Sequence, residues 1–546
     1  MYIPSGKTKN PNDIRKTLQD TQIMKRFLSA AFLALSAVFI IFASKMTGRH
    51  FFSEFQISQT SFEALMHSRQ KTDRISLLEV YFNEKSLFYD KSGDRWFYSI
   101  SMNRESGESD ISVAFSANIN GLKIAFTGEL SPGNAVRMIA YTDTEYRLYP
   151  IEVTSLPLIH IECGTENIPE YPAIPVRFTL FDNDPGSRQP VVKSDGTIHI
   201  RGKGSLSFPK KAFKLTLTTK TPGGEIIENQ TALLGLRQDG DWHLYPAYDD
   251  QEKIRNVFSF ALWSGACADS NSFGIKNGTE YRFAELFINH QYWGLYAIGY
   301  PIDAKQMKIR PQFNGHYEEF IFKQRAWGPP KGDYTSLENY LFSQFETDEA
   351  DLNYGLSIMR MYFEHLDANA PNGLHNSDEM NAVDIWLFLK LTQDMDSLAQ
   401  PGKIDNIIYT IKRSDTGRKI IYTPWDLDTT WGNYWGAYRM DPDDNTMEMD
   451  LNPVSVLLNQ TETHAETAAM IRQRYRELRA DGWSDHTVDQ LLDKFEQDIY
   501  GSGAYIRDIE RWPKTRQQDP MLALSHFRTY VHQRLSSMDM FIEGLE

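Results

Sequence analysis

Cysteine is scarce in this sequence, with only Cys163 and Cys267 among 546 residues. Two cysteines exclude the disulfide framework that stabilises small secreted domains. A single bridge is possible in an exported chain, but cysteine is among the most frequently buried residue types, so we expect two buried thiols. Stability must therefore come from apolar packing. The length and the 41% hydrophobic content allow two or three domains with at least one large core.

Positive charge is also in short supply. The chain has 57 Lys and Arg residues against 72 Asp and Glu, which gives a net charge of −15. Proteins that bind nucleic acid through its phosphates need the opposite balance, so we expect no nucleic-acid partner. Internal repeats and low-complexity tracts are absent too, which argues against a solenoid or a fibrous protein.

One long hydrophobic run is present near the N-terminus. Residues 27–44 (FLSAAFLALSAVFIIFAS) carry no charge over 18 residues, about 27 Å as a helix. Lys and Arg outnumber Asp and Glu in the preceding 26 residues. The positive-inside rule then predicts a cytoplasmic tail at 1–26, a transmembrane anchor at 27–44 and an extracytoplasmic remainder. A cleaved signal peptide is the alternative, although the polar lead is long for one.

The rest of the chain changes from strand patterns to helix patterns. Residues 45–73 are predicted to be a linker or short helix. Short strands rich in β-branched and aromatic residues fill 74–152, which predicts a small all-β sandwich. From 153 to about 300 strands continue, and helical spacing then dominates to 546. We predict an α+β domain over 153–546, with a β-rich front and a helical back.

The stretch 197–217 (TIHIRGKGSLSFPKKAFKLTL) contains the first candidate binding site. Glycines in the 202–205 turn let backbone N–H groups approach an anion closely. Alternation in the following strand puts Lys211 on the apolar face, where an unpaired ammonium is costly, and Lys214 on the solvated face. Lys211 therefore needs a carboxylate or a phosphate. The alternative is an ordinary hairpin turn beside a lysine at a strand end.

Two more charged residues lie in apolar surroundings. Glu285 shares a strand face with phenylalanines, so it could pair with Lys211 or form an ion pair without a catalytic role. Arg255 lies one turn into a helix predicted to begin near Glu252. It could reach an anion or simply pair with a neighbouring carboxylate, Asp249 or Asp250.

Acidic residues gather in the second half of the chain. Asp394 and Asp396 end an apolar helix, Asn406 precedes a strand, and Asp426 and Asp428 lie two residues apart in PWDLDTTWG. On a strand the last two carboxylates point the same way and repel unless a cation lies between them or one is protonated. Oxygen ligands without nearby His or Cys fit Mg²⁺ or Mn²⁺. The alternative is that the pair closes a strand beside a turn.

In this order, the motifs resemble the CotH family of atypical protein kinases, related to spore coat protein H. The resemblance covers about residues 155–440 and extends to the helical remainder. It implies a protein-kinase-like fold that transfers the γ-phosphoryl group of ATP to Ser or Thr of a protein. The stretches that carry it are SLPLIHI, IRGKGSLSFPKKAFKL, YDDQEKIRN, AELFINHQYWGLY and YTPWDLDTTWG.

The resemblance also implies roles for the candidate residues. Asp396 would be the catalytic base, with Asp394 and Asp405 as open alternatives. Asn406, Asp426 and Asp428 would bind Mg²⁺, and Lys211, oriented by Glu285, would hold the α- and β-phosphates. The predicted nucleotide-contacting residues are Arg201, Gly202, Gly204, Ser205, Lys211, Arg255 and Glu285.

The predicted function is thus a membrane-anchored protein kinase that uses ATP and Mg²⁺, or Mn²⁺, on a protein substrate. Two alternatives remain open. The sequences DMD and DLD are D-x-D motifs, and with a signal anchor they are also typical of metal-dependent glycosyltransferases. A catalytically inactive surface or assembly protein is the other alternative.

Overall fold

The computed structural model describes residues 50–101, 111–324, 332–368, 376–398, 406–434, 436–449, 452–513 and 520–545. The predicted cytoplasmic tail 1–26 and anchor 27–44 lie outside these ranges. Among the residues that are described, no helix has the length and apolar character needed to cross a membrane.

The N-terminal unit is a β-sandwich that begins at residue 50, so part of the predicted linker belongs to it. One sheet has the strand order β1-β7-β3-β4, and the other has β5-β6-β10-β9-β8 with β2 paired to β10. Apolar side chains such as Val80, Phe126 and Val136 fill the space between them. The elements are β1 His50–Phe51, α1 Phe52–Phe55, α2 Gln59–His67, β2 Gln70–Lys71, β3 Leu77–Phe82, β4 Lys85–Ser86, β5 Phe88–Asp90, β6 Arg95–Ser99, β7 Ser112–Ala117, β8 Lys123–Thr127, β9 Ala135–Tyr141 and β10 Glu145–Thr154.

A barrel follows the sandwich. Its strand order is β13-β12-β11-β19-β20-β18-β14, and an additional β13–β14 pairing closes the sheet, with β15 attached to β14. Only β11 and β19 pair in parallel within this sheet as described. The strands of this sheet are β11 Leu158–Cys163, β12 Ile174–Phe181, β13 Val191–Arg201, β14 Ala212–Lys220, β15 Ile226–Glu228, β18 Asp241–Tyr245, β19 Tyr281–Ile288 and β20 Gln291–Gly299. A separate two-stranded sheet is formed by β16 Thr231–Ala232 and β17 Gln238–Asp239.

Strand alternation divides the barrel side chains into an inner and an outer set. Phe213, Leu215 and Trp242 belong to one fully buried apolar cluster, the barrel interior. Lys214 lies in the opposite set, in register with His243. The same row continues through Gly299 to Tyr281, which packs with the helical half of the protein. Lys214 therefore points out of the barrel, towards that half.

The C-terminal half combines helices with a small sheet of order β22-β21-β23-β24. Helix α5 is buried on every side from Asn381 to Thr392, as expected for a helix that is apolar over most of its circumference. Asp348, Asp378 and Ser484 cap α4, α5 and α9. The elements are α3 Arg255–Ala266, β21 Phe320–Gln324, β22 Leu341–Ser343, α4 Glu349–Asp367, α5 Glu379–Thr392, α6 Met395–Leu398, β23 Ile407–Ser414, β24 Gly417–Pro424, β25 Asn433–Tyr434, β26 Ala437–Tyr438, α7 Pro453–Leu458, α8 His464–Ala480, α9 Asp485–Phe495, α10 Ala504–Arg511 and α11 Pro520–Glu543.

The predicted α+β class with a β-rich front is therefore confirmed.

The sandwich also packs directly on the barrel. Phe97 of β6 joins Leu158, Phe287 and Tyr292 of the barrel in a separate apolar cluster, and the Phe97 and Tyr292 rings stack 5.0 Å apart. Aromatic contacts of this kind add to the burial of apolar surface, so apolar packing stabilises the junction between the two units.

Candidate active site

The predicted carboxylate pair lies in a turn and not on a strand. Strand β24 ends at Pro424, Asp426 has a left-handed backbone with φ of 58°, and Leu427–Thr429 form one 3₁₀ turn. The expectation that strand alternation aligns Asp426 with Asp428 is therefore wrong. The left-handed residue reverses the chain instead, leaving the Asp426 side chain exposed and that of Asp428 half-buried.

Two asparagines hold this turn in place. The side-chain oxygen of Asn256, in α3, accepts the backbone N–H of Leu427 at 2.9 Å. The side-chain nitrogen of Asn433 donates to the carbonyl of Asp428 at 2.7 Å. The hydroxyl of Thr430 also donates to the carbonyl of Leu427 at 2.7 Å, so both the local sequence and helix α3 fix the shape of the turn.

Asp394 links the 426–428 turn to the C-terminal end of helix α5. It is fully buried. The hydroxyl of Ser397, in α6, donates to its Oδ2 at 2.6 Å, and the hydroxyl of Thr429 donates to its Oδ1 at 3.0 Å. Burial, reinforced by the charge of Asp396, raises the pKa of Asp394 to about 8. Through these two bonds Asp394 holds α6, which contains Asp396, against the turn that contains Asp426 and Asp428.

Asp396 and Asn406 meet, although they are separated in the sequence. The side-chain nitrogen of Asn406 donates to Oδ2 of Asp396 at 3.0 Å. Burial and the charges of Asp426 and Asp396 raise the pKa of Asp428 well above its usual range. Asp396, Asn406, Asp426 and Asp428 therefore lie close together, and we call these four residues the acidic cluster. Asp405, another candidate for the base, lies outside the described residues.

A group of cations borders this acidic cluster. The guanidinium of Arg201, at the end of β13, lies 5.5 Å from the ring centre of Trp425, and the ammonium of Lys323, in β21, lies 4.3 Å from it. The His243 ring is 5.7 Å from the same tryptophan. Burial, followed by the charges of Arg201, Lys214 and Lys323, lowers the pKa of His243 well below its usual range. We call Arg201, Lys214 and Lys323 the basic rim.

One phenol lies near both the basic rim and the acidic cluster. Burial raises the pKa of Tyr281 to about 12, with the charge of Arg201 opposing this shift and that of Asp426 reinforcing it. Both charges therefore lie within electrostatic range of Tyr281. Arg201 from the barrel and Lys323 from the small sheet contact Trp425, the residue that precedes Asp426, and we call this region the cleft.

The glycine turn is longer than the predicted short hairpin. Gly202 has φ of 122°, and a Cβ there would lie 2.2 Å from the hydroxyl of Ser205. Only glycine fits this position. The chain then forms a 3₁₀ turn at Gly204–Ser207, and the amine of Lys211 donates to the carbonyl of Leu206 at 2.5 Å. Lys211 thus bonds to its own turn, on the face of β14 that continues into the barrel interior.

The predicted pairing of Lys211 with Glu285 is not what the structure shows. Glu285 is fully buried and receives two hydrogen bonds from Arg507 of α10, at 3.0 and 2.6 Å. Tyr292 donates a further bond at 2.7 Å. Burial opposes ionisation, but Arg507 outweighs it and lowers the pKa of Glu285 below its usual value. Glu285 therefore joins the barrel to a C-terminal helix.

Arg255 also has a different place from the predicted phosphate contact. Helix α3 begins at Arg255 itself, and its guanidinium is fully buried. It forms ion pairs with Asp250 and Glu252 and lies 4.8 Å from the ring centre of Tyr438. Asp250 also accepts the backbone N–H of Arg255 at 2.7 Å. The carboxylate-pairing alternative is the one that the structure shows.

Sequence reasoning missed two residues of this cleft and part of the role of a third. Lys214 was assigned to solvent, and its side chain is 36% exposed and 3.1 Å from Asp241, but its charge also lies within range of His243. Lys323 lies in the apolar strand FIFKQ, where a lysine between buried residues was a usable signal. Thr429 had no signal, because its hydrogen bond to Asp394 joins segments 35 residues apart in sequence.

Comparison with protein families agrees with this geometry. A family model described as CotH kinase protein matches residues 198–352 and 374–538, more than half of the chain. The chain belongs to the CotH kinase family. A search of curated proteins finds no match.

The CotH match includes both sides of the cleft. The glycine turn, Arg201 and Lys214 lie in its first segment, and Asp396, Asn406 and the 426–428 turn lie in its second. The sandwich and the first two barrel strands precede the matched region.

Proposed function

We propose that this CotH family member is a protein kinase that transfers the γ-phosphoryl group of ATP to Ser or Thr of a protein. The observation that carries the proposal is the meeting of the basic rim with the acidic cluster beside Trp425. Phosphoryl transfer requires cations against the phosphates and oxygen ligands for a bridging metal, with the acceptor beside a base. This cleft offers each of these groups, and a protein-kinase-like arrangement with the barrel as its first lobe follows from the same proposal.

The donor set of the acidic cluster fits Mg²⁺. Asn406, Asp426 and Asp428 would hold it through oxygen atoms, as in the sequence-based prediction. The raised pKa of Asp428 supports this assignment, because neighbouring carboxylates that repel one another are stabilised by a cation. When bound, Mg²⁺ supplies charge neutralisation at the phosphate oxygens.

The chain's own residues would position the reactants. Arg201 and Lys214 from the barrel and Lys323 from the small sheet would attract the phosphates, with the glycine turn at 202–205 beside Arg201. Asp396, oriented by its bond from Asn406, would accept the proton of the acceptor hydroxyl. Asp394 would hold α6 against the 426–428 turn, so that base and metal ligands keep their spacing.

The proposal extends to the location of the enzyme. Residues 27–44 would anchor it in a membrane with the catalytic part on the extracytoplasmic side, as the charge distribution around that run predicts. A kinase in this place requires ATP, or another phosphoryl donor, in the compartment that it faces.

Purified protein incubated with ATP labelled in the γ-phosphate tests the reaction class. We expect label to appear in protein and to resist exchange with unlabelled ATP. A parallel thermal-shift series compares ATP with Mg²⁺ against UDP-sugars with Mn²⁺, and stabilisation by ATP alone supports the kinase. Stabilisation by a UDP-sugar alone would favour the glycosyltransferase alternative. If neither ATP nor a UDP-sugar stabilises the protein and no label is transferred, the result would favour an inactive binding protein.

A further inference from the structure

Outside the cleft, three ligand-type side chains converge where β11 approaches the β19–β20 turn. One nitrogen each of His160 and His290 and one oxygen of Glu162 lie within 4.8 Å of one another. His160 and Glu162 are two residues apart on β11, so they share its outer face. His290 follows β19, which pairs with β11 in parallel. His160 and Glu162 precede the segments that match the CotH family, whereas His290 lies within the first of them, and the group has no part in the proposed phosphoryl transfer.

The spacing within the group is too long for hydrogen bonds. Nδ1 of His160 and Nε2 of His290 each lie 3.8 Å from Oε1 of Glu162. Hydrogen bonds between such atoms are about 2.7–3.2 Å long. A zinc ion lies about 2.0–2.2 Å from nitrogen and oxygen ligands, and in tetrahedral geometry two such ligands are about 3.3–3.6 Å apart, so a small movement of the side chains would bring these atoms into range.

Neighbouring groups orient the three side chains. Arg177 donates to Oε2 of Glu162, which leaves Oε1 towards the imidazoles. Nε2 of His160 accepts the backbone N–H of His290 at 3.1 Å, and this bond turns Nδ1 towards Glu162 in the metal-free protein. The two rings lie 4.3 Å apart between centres. The contact of Arg177 with Glu162 is a supporting contact that can persist when a metal is bound, and such contacts are a usual feature of protein metal sites.

We propose that His160, Glu162 and His290 bind a divalent transition-metal ion, with zinc as the ion that best fits this ligand set. Two imidazoles and one carboxylate form a three-ligand zinc site with a fourth position open. Mg²⁺ and Ca²⁺ prefer oxygen ligands alone and are disfavoured. A cavity of about 670 Å³ lies alongside and includes Glu162 and His290 in its wall, so the open position has room for water or a small ligand.

Metal binding at this site is coupled to the junction with the sandwich. Binding through Nδ1 moves the ring proton of His160 to Nε2, which gives up the bond from the His290 backbone. The carbonyl of the same His290 accepts the backbone N–H of Lys91, in the β5–β6 turn of the sandwich, at 2.8 Å. We expect the affinity for zinc to be lower than that of a preformed structural zinc site, because this hydrogen bond is lost and because the positive charges of Lys91 and Arg177 repel the ion.

A second group of similar composition serves as the comparison. His316, Asp348 and Asp351 also lie within 4.8 Å of one another. There, however, Nδ1 of His316 is 3.0 Å from Oδ1 of Asp351, a hydrogen-bond distance. Asp348 accepts the backbone N–H of Asp351 at 2.8 Å as the cap of α4. These carboxylates already have partners, so His316 is a matched control for a histidine near acidic groups.

Zinc titration of the metal-stripped protein tests the proposal, in excess Mg²⁺ and without nucleotide so that the acidic cleft does not take up zinc. Calorimetry is expected to show binding of one equivalent by the wild type and by His316→Ala. His290→Ala and Glu162→Gln should each weaken binding about tenfold or more, the scale for loss of groups that hold or orient a metal. Both substituted side chains are partly exposed, so these variants are expected to fold.

Thermal denaturation of the same samples provides a second readout. Zinc should raise the melting temperature of the wild type and of His316→Ala but not of His290→Ala. Equal zinc affinity in the wild type, His290→Ala and Glu162→Gln would overturn the proposal, and so would a wild type that binds no zinc. Because neither variant touches the cleft, this outcome is separate from success or failure of the kinase assay.

Discussion

Arg507 holds both carboxylate oxygens of Glu285, with its Nε and Nη2 at 3.0 and 2.6 Å. The next residue of α10, Asp508, accepts the ammonium of Lys210 at 2.6 Å, and this pair is also fully buried. Two consecutive residues of one helix thus neutralise two charges of the barrel. Helix α10 therefore joins the barrel to the C-terminal part of the chain.

Arg507→Met is therefore expected to be strongly destabilising. It leaves the buried carboxylate of Glu285 without its cation, and removal of one partner from a buried pair costs about 3–5 kcal/mol. Urea unfolding measures the loss. In the double variant Glu285→Gln/Arg507→Met, part of the stability should return because no charge is left buried. A single variant as stable as the wild type would contradict this role for the pair.

Lys214, and not Lys211, is expected to contribute to nucleotide binding. Its side chain lies on the barrel face that meets the cleft, and a charge-assisted hydrogen bond is worth about 1.5–3 kcal/mol, or about 10–100-fold in affinity. Lys214→Ala should weaken ATP binding by that factor in a calorimetric titration, while Lys211→Ala should have a small effect. The opposite pattern would show that the glycine turn and Lys211 form the phosphate site, as the sequence alone suggested.

Asp428→Asn should raise the stability of the metal-free protein and abolish its response to Mg²⁺. Burial and the charges of Asp426 and Asp396 raise the pKa of Asp428, so a neutral side chain relieves repulsion in the protein without metal. We expect a higher melting temperature in EDTA and no further rise with Mg²⁺ and ATP. Asp415→Asn, an exposed change in the β23–β24 turn, is the control and should respond like the wild type. Retention of the Mg²⁺ response by Asp428→Asn would remove this residue from the metal site.

Stability should fall on acidification because of His160. Burial, helped by His290, lowers the pKa of His160 to about 4. Between its ordinary pKa of about 6.5 and this value, the unfolded chain binds a proton that the folded chain does not. The contribution is thus complete above pH 6.5 or so and is lost as the pH falls through about 4, up to roughly 3 kcal/mol. In EDTA, His160→Gln should flatten the pH dependence of urea unfolding over this range, and an unchanged slope would contradict the assignment.

The sequence predicted some of these features well, for physical reasons. Strand and helix periodicity reflects local burial, so the α+β class and the alternation around Lys211 and Lys214 were readable. Alternation alone does not tell which face of a strand meets a cleft, because the closing β13–β14 pairing decides which side is the barrel interior. The partner of Glu285 was equally out of reach, since Arg507 lies 222 residues away. The family resemblance assigned Asp396 and Asn406 to one site, whereas neither their hydrogen bond nor the left-handed turn at Asp426 was predicted.

The central claim is that Asp396 accepts the proton of the acceptor hydroxyl in ATP-dependent phosphoryl transfer, and Asp396→Asn tests it most directly. Transfer of label from the γ-phosphate of ATP to protein is measured beside the affinity for ATP in Mg²⁺, with Asp415→Asn as the control. We predict that transfer falls about 10²–10⁴-fold, the usual contribution of a general base, while ATP affinity changes little. Undiminished transfer by Asp396→Asn would contradict the account.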